Sequence, residues 1–348
     1  MTLEILWFCL ICVLWTGYFV LEGFDFGVGI LLPVLGRSEA DRRTMFESIG
    51  PLWDGNEVWL VVAGAATFAA FPVWYATLFS GFYIALFLIL LLLIVRVLSF
   101  EWREKVGGAR WERVWTQLNT IASIGVPLLW GIALASLLKG VPIAADQNYA
   151  GDFGDLFSGY SILAGVALCF LFATHGALFL SLRTRGDLRA RSLGTAARLS
   201  PIAGGVGAFF LVATLIVAND SNDKGVFPGI LPAALAALAA VAAILFARVG
   251  KERHAFGATA TVIVAAVVTL FASLYPRVMV SDPNFSNSLT IHNASSAHYT
   301  LTVMTVVAVI LLPVVLLYQA WTYHVFRARI GGEDVGTPVD LVARKTES

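Results

Sequence analysis

Long apolar runs recur along this 348-residue chain and leave little choice of secondary structure. Lipid offers no water to a bare peptide group, so a segment crosses a bilayer as a helix or inside a closed barrel. A helix needs about 20 apolar residues to cross the hydrocarbon core. Runs of that kind fall at approximately 4–32, 57–75, 77–99, 114–138, 158–181, 199–218, 229–247, 255–275 and 300–323. Charged residues make up 13% of the chain and hydrophobic ones 58%, whereas a soluble domain carries about 25% charged residues. The expected class is an all-α membrane protein with nine transmembrane helices. The second run is the least apolar, through Ala63-Gly64-Ala65-Ala66-Thr67, and has Pro72 near its end.

Net charge is zero, but the charges are sided. Alternate connections and the C-terminal tail hold 19 Lys and Arg residues, from Arg37 to Lys345. The intervening connections hold 3, Lys139, Lys224 and Arg277, beside several aspartates. The positive-inside rule then predicts the N-terminus outside and the C-terminus in the cytoplasm, which requires an odd number of crossings. Short connections predict antiparallel neighbours, and nine helices suit two four-helix bundles plus one peripheral helix. The organisation expected is a membrane domain over 1–326 and a loosely ordered cytoplasmic tail over 327–348. The first run is too long for a signal-peptide core and lacks a basic flank, so it reads as a retained helix. Basic residues confined to short connections, without a DNA-reading motif, give no sign of nucleic-acid binding.

Against this background the polar residues stand out. Glu22 and Asp25 lie three residues apart, hence on one helical face, in a run otherwise apolar from Ile5 to Leu35. A charge there costs at least ~2.5–3.5 kcal/mol, so it faces a bundle interior, a partner or a water path. Gly23 and Gly27 form a small-residue face that lets a neighbouring helix come close. The connection to the second run ends in Pro51-Leu52-Trp53-Asp54-Gly55-Asn56-Glu57-Val58-Trp59. Asp54 there is readable as a helix N-cap with Glu57 as its capping-box partner, or as the cytoplasmic mouth of a route inward to Asp25 and Glu22. Carboxylates spaced along such a route relay protons. The competing reading of Glu22 and Asp25 is a structural ion pair or hydrogen bond to a facing helix, with Arg96 near the inner end of span three as partner.

Other polar residues carry less. His175 is the one histidine at membrane depth and reads as a polar packing contact rather than a haem ligand, because a haem normally needs a second axial ligand. No HxxxH or HExxH spacing occurs, so no metal site is expected. Cys9, Cys12 and Cys169 read as small buried hydrophobes. Trp53, Trp59, Trp74, Tyr75, Tyr83, Trp102 and Trp111 read as interfacial belt residues. Asn293-Ala294-Ser295 matches a glycosylation sequon, a three-residue pattern common by chance and so discounted, and the alanine-rich stretch 233–243 reads as a tightly packed helix.

Three blocks together resemble one family. They are Glu22-Gly-Phe-Asp25-Phe-Gly-Val-Gly29, then Ser48-Ile-Gly-Pro51-Leu-Trp53-Asp54-Gly-Asn56-Glu-Val-Trp59, and Asn287-Ser-Leu-Thr-Ile-His-Asn293-Ala-Ser-Ser-Ala-His298-Tyr-Thr-Leu-Thr. Phe79-Ser-Gly-Phe-Tyr83 and Gly140-Val-Pro142 fit as well. The chain, from residue 1 to about 326, is similar to subunit II of the cytochrome bd-type quinol oxidases of bacteria. The resemblance implies a multi-pass protein of the bacterial plasma membrane, in a complex that reduces dioxygen to water with electrons from quinol and protons from the cytoplasm. It implies that the partner, subunit I, ligates haems b and d, that this chain ligates none, and that this chain is inactive alone. The family's acidic residues of the first two helices map onto Asp25 and Asp54; with Glu22 these form the expected proton path, with Trp53, Asn56, Glu57, Trp59 and Arg96 in support. Trp59 matches a tryptophan near the subunit interface, a candidate point of oxygen access. Where relatives have Asp before the first Gly-Phe-Asp this chain has Glu22, and where they can have Gln it has His175. The stretch between spans six and seven is short for the family. A structural quinone or lipid in a groove, and a small single-helix accessory subunit, are further candidate partners. The alternative reading is a secondary transporter or proton channel using the same acids; Pro127 and Pro201 supply a weak form of the paired broken helices such proteins show.

Overall fold

The computed structural model describes residues 2–331. Its helices are α1 (Leu3–Leu35), α2 (Glu39–Ile49), α3 (Trp53–Ala70), α4 (Pro72–Gly81), α5 (Tyr83–Trp102), α6 (Ala109–Lys139), α7 (Gly159–Arg183), α8 (Gly186–Asp220), α9 (Phe227–Arg248), α10 (Glu252–Leu274) and α11 (His298–Val325). Among the described residues, eight of these are long and apolar enough to cross a membrane: α1 and α5 to α11. Helix α3, with 18 residues, is not one of them.

The run expected at 57–75 is broken. Helix α3 stops at Ala70 and α4 begins at Pro72. Proline has no N–H to give and pushes the preceding residue out of the helical region; Phe71 accordingly has ψ 69°. The freed carbonyls of Ala69 and Ala70 accept hydrogen bonds from Ser296, at 2.6 Å from its hydroxyl and 2.9 Å from its amide. That contact explains part of the polar block before α11. Several residues assigned to basic connections, among them Arg189, Arg191 and Arg198, lie on α8, whose 35 residues carry it well beyond the apolar stretch.

Helix α1 is the axis of the fold. Every residue from Glu22 to Gly29 is buried. Neighbours reach it through small residues. A Cβ on Gly27 would stand 1.9 Å from the Phe172 carbonyl oxygen of α7, beside Gly176. The ring of Trp59 on α3 occupies the space a Cβ on Gly17 would need, and Ser123 of α6 does the same at Gly29. Helix α3 runs antiparallel to α1: Asn56 meets Leu21 and Asp25, Trp59 meets Gly17, and Ala70 ends near Ser296 beyond the start of α1. Helix α5 returns, placing Arg96 beside Glu22 and stacking Phe100 on Trp53. Helices α7 to α10 form a second group, in which α9 packs through Ala233, Ala236, Ala239, Ala243 and Ala247. That regular spacing is the tight alanine helix expected from 233–243. Helix α11 lies at the edge, with only Leu301 buried. Its N-terminal turns are held by Trp7, whose indole N–H donates to Leu301 O and Thr305 Oγ1.

The two ends of the bundle differ. At one, a short antiparallel sheet of β1 (Arg277–Met279) and β2 (Leu289–Thr290) covers the helix ends. At the other, basic end, α2 starts with a Ser38–Asp41 capping box and is tied down by Arg191 to Asp41 (2.8 Å) and by Arg103 to Glu39. Partial burial raises the Asp41 and Glu39 carboxyls, but hydrogen bonds from Arg191 and Arg103 outweigh it and hold both below the ordinary carboxylate range. The start of the expected tail is pinned rather than loose: Ile330 N donates to Arg183 O at 2.8 Å, and Arg185 N to Ile330 O at 3.0 Å. The rest of the tail, with Arg344 and Lys345, lies outside the described residues.

Two smaller expectations need correction. Trp74 is buried against Phe71 and does not face a membrane interface, because the chain reversal at α4 turns it inward. Cys9 is exposed on the outer face of α1, opposite the buried Trp7, Phe8 and Ile11.

The α1–α7 crossing predicts that Gly27→Val lowers the stability of the full chain in detergent by about 1–3 kcal/mol or more, as overpacking does. Gly207→Ala, where a Cβ meets nothing within 4 Å, should leave the melting temperature unchanged.

Candidate functional site

Three elements converge on the acidic face of α1. From α5, Arg96 Nη1 forms an ion pair with Glu22 Oε1. From α3, Glu57 Oε2 approaches the same guanidinium nitrogen at 3.8 Å, and Asn56 Nδ2 donates to Asp25 Oδ2 at 2.7 Å. From α11, Tyr323 OH (2.7 Å) and Gln319 Nε2 (3.1 Å) donate to Asn56 Oδ1. Glu22, Asp25, Asn56 and Arg96 are all 0% exposed.

The aromatic residues of the motif line this cluster. Arg96 sits over the ring of Phe26 (4.5 Å) and near Phe100 (5.4 Å), contacts that stabilise a desolvated guanidinium. One cation therefore faces three carboxyls, of which Glu22 and Asp25 are fully buried and Glu57 is partly exposed. Several polar atoms there have no hydrogen-bond partner among the described residues: Glu22 Oε2, Asp25 Oδ1, Glu57 Oε2, Arg96 Nε and Nη2, and Tyr18 OH. Buried groups of this kind are served by water in folded proteins.

Asp54 stands apart. It is exposed in the first turn of α3 and is not the N-cap. Leu52 holds that position without a side-chain bond, because helical hydrogen bonding already runs from Ile49 O to Leu52 N and from Leu52 O to Asn56 N. Glu57, expected as the capping-box partner, points instead to Arg96. Trp53 stacks on Phe100, ring centroids 5.3 Å apart, and closes the basic end of the cluster. Sequence reasoning missed Gln319 and Tyr323. Their signal was a polar pair four residues apart in the last run, the i, i+4 spacing of one helix face.

His175 is buried and both ring nitrogens are engaged. Nε2 lies 3.2 Å from Val20 O and Nδ1 2.7 Å from Thr259 Oγ1, and the ring stacks on Phe256 at 4.3 Å. With a carbonyl on Nε2, that nitrogen carries the proton and Nδ1 accepts from the threonine. Neither nitrogen is free for an iron, so this residue does not fit a haem. Among the described residues no group of three or more His, Cys, Asp or Glu is placed to hold a metal ion. Asn293 of the sequon accepts from Thr290 N (2.7 Å) and donates to Ser288 O (3.2 Å), which fixes the turn after β2.

Fold and site define a multi-pass helical membrane protein with an arginine and three acids gathered where α1, α3 and α5 meet. The chain belongs to the cytochrome bd terminal oxidase subunit II family, whose sequence model matches residues 3–326. It is 40% identical over 338 residues to the cytochrome bd ubiquinol oxidase subunit 2 of Bacillus subtilis, covering 96% of this chain and 98% of that one. It is 37% identical over 365 residues to the cytochrome bd-I ubiquinol oxidase subunit 2 of Escherichia coli K12, with 96% of each chain covered. Its fold is similar to a chain of the bd oxidase from Geobacillus thermodenitrificans, with TM-score 0.73, 17% identity, and 92% of this chain and 99% of that chain covered.

Arg96→Gln would strand the Glu22 carboxylate. Removing one partner of a buried pair costs about 3–5 kcal/mol, expected as early unfolding of the full chain in a denaturing-detergent titration. Adding Glu22→Gln to that variant should recover part of the loss.

Proposed function

We propose that this chain is the subunit of a bd-type quinol oxidase that binds no haem through its own side chains, and that it feeds cytoplasmic protons to a haem-bearing subunit I. The observation that carries the reading is the charge balance of the cluster. Three carboxyls share one guanidinium, and like charges confined to one low-dielectric site do not all ionise. The cluster therefore reaches neutrality only by holding protons, which is what a relay needs and what a plain ion pair does not.

The route follows the placement of the acids. Nine passages, with α3 as the second, put the basic end in the cytoplasm of a bacterial plasma membrane and the N-terminus outside. Helices α1, α3, α5 and α6 then form one bundle, α7 to α10 the other, and α11 stands at the periphery. Asp54 collects protons at the cytoplasmic surface. Glu57, three residues on and on the same face of α3, has 17% of its side chain exposed and touches Arg96. Glu22 and Asp25 lie beyond it. Reduction of dioxygen to water consumes as many protons as electrons, so turnover in the complex depends on this supply. Haems b and d and quinol oxidation belong to subunit I in this reading, where the haems supply the redox chemistry. The chain alone has no turnover.

In the assembled complex, Asp25→Asn and Glu57→Gln should each slow oxygen consumption at saturating quinol about tenfold or more, the scale of a lost proton-transfer group. The haem absorption per complex should stay unchanged. Asp54→Asn, with bulk water beside it, should have a smaller effect. Full turnover in Asp25→Asn and Glu57→Gln would refute the route. Loss of haem absorption in parallel with activity would instead assign the acids to assembly.

A further inference from the structure

A second polar feature lies at the basic end, outside the acid cluster. Between α1, α7, α10 and α11 the structure forms a half-open cavity of about 570 Å³. Its floor is apolar and aromatic, with Phe24 and Tyr323 among the lining side chains, and its rim carries Arg183, Arg253, Arg327 and Arg329. The chain after α11 folds back to the α7–α8 turn through Ile330 and so carries Arg327 and Arg329 onto this rim.

The rim is undercompensated. Glu252 is the carboxylate paired there, and it is shared between Arg329 (2.9 Å) and Arg189 (2.8 Å). Arg183 is 8% exposed; its Nη1 donates to Ala328 O at 2.5 Å, and its Nε has no hydrogen-bond partner among the described residues. Arg253 and Arg327 are exposed and form no ion pair among the described residues. Guanidiniums gathered in one concavity concentrate positive potential and favour a multivalent oxyanion, which their planar forks bind through paired hydrogen bonds. A free phosphate would satisfy the rim and leave the aromatic floor wet. A neutral lipid would cover the floor and leave the rim uncompensated.

We propose that this cavity binds an anionic glycerophospholipid of the inner leaflet, its phosphate among the four arginines and an acyl chain along the aromatic floor. Basic pockets between transmembrane helices at the cytoplasmic face take such head groups. The site adjoins the acid cluster: Tyr323 lines the cavity and also donates to Asn56, which in turn donates to Asp25. The lipid thereby braces α11 against α1. The inference uses the proposed orientation of the basic end but not the oxidase chemistry, and its test reads lipid rather than turnover.

The test is native mass spectrometry of the full-length protein, with any subunit that co-purifies. The protein is released from nanodiscs of phosphatidylcholine with or without a minor fraction of phosphatidylglycerol. The wild type should retain phosphatidylglycerol in preference to phosphatidylcholine. Arg253→Gln with Arg327→Gln should cut that preference about tenfold or more, and Lys105→Gln, in another basic connection, should not. Neither Arg253 nor Arg327 joins two elements of the fold. Should the double variant nevertheless melt early, Arg253→Gln alone carries the comparison. Equal retention of the two lipids, or an unchanged preference in the arginine variant, would overturn the proposal. So would displacement of phosphatidylglycerol by millimolar inorganic phosphate, which would make free phosphate the ligand.

Discussion

A guanidinium enclosed in a membrane bundle with more acids than it can neutralise is the constraint around which this molecule is built. Arg96 has no exposure, and a charge at that depth is tolerated only with partners around it. Glu22 supplies the direct ion pair, Glu57 the second carboxylate, and Phe26 and Phe100 the ring faces. Each partner comes from α1, α3 or α5, so the electrostatic requirement of one residue also sets how three helices meet. Asn56 extends the same network to Asp25 on one side and to α11 on the other. A helix with only one buried residue along its length is thereby fastened at both ends, by Trp7 near its start and by Asn56 near its finish.

Close approach makes that enclosure possible. Water has no hydrophobic advantage to offer between helices in lipid, and small residues let backbones come near enough for packing to hold them. Gly27 against Gly176, Gly17 under Trp59 and Gly29 against Ser123 each bring a different neighbour onto α1. The glycines of the first motif are therefore not loop signals. They thin the helix where the acids need walls.

Much of this could be read in the chain beforehand, and the exceptions have physical causes. The acidic face of the first span, its small-residue neighbour face and the Arg96 partner followed from helical spacing and from the cost of charge in lipid. The motif blocks carried the family. The break at Phe71–Pro72 was blurred because apolar composition continues across it, and a hydropathy run does not register a lost N–H. Asp54 looked like a cap because cap signals are local, whereas the turn from Ile49 had already begun the helix. Gln319 and Tyr323 were passed over because a single amide and a phenol do little to the apolarity of a 28-residue helix; their role exists only once α11 is laid against α3. The basic cavity draws its arginines from α7, α10 and the segment after α11, and no sequence window contains them together.

Protonation of the cluster is the claim on which the functional account turns. Infrared difference spectroscopy of the assembled complex, recorded between its oxidised and reduced states near neutral pH, observes it without reference to turnover. The account predicts a carboxylic-acid C=O band that is lost or displaced in Asp25→Asn or Glu22→Gln while the backbone amide bands are unchanged. A spectrum with no such band, or one that both variants leave untouched, would show that these acids neither take up, release nor shift a proton between the two redox states and would contradict it.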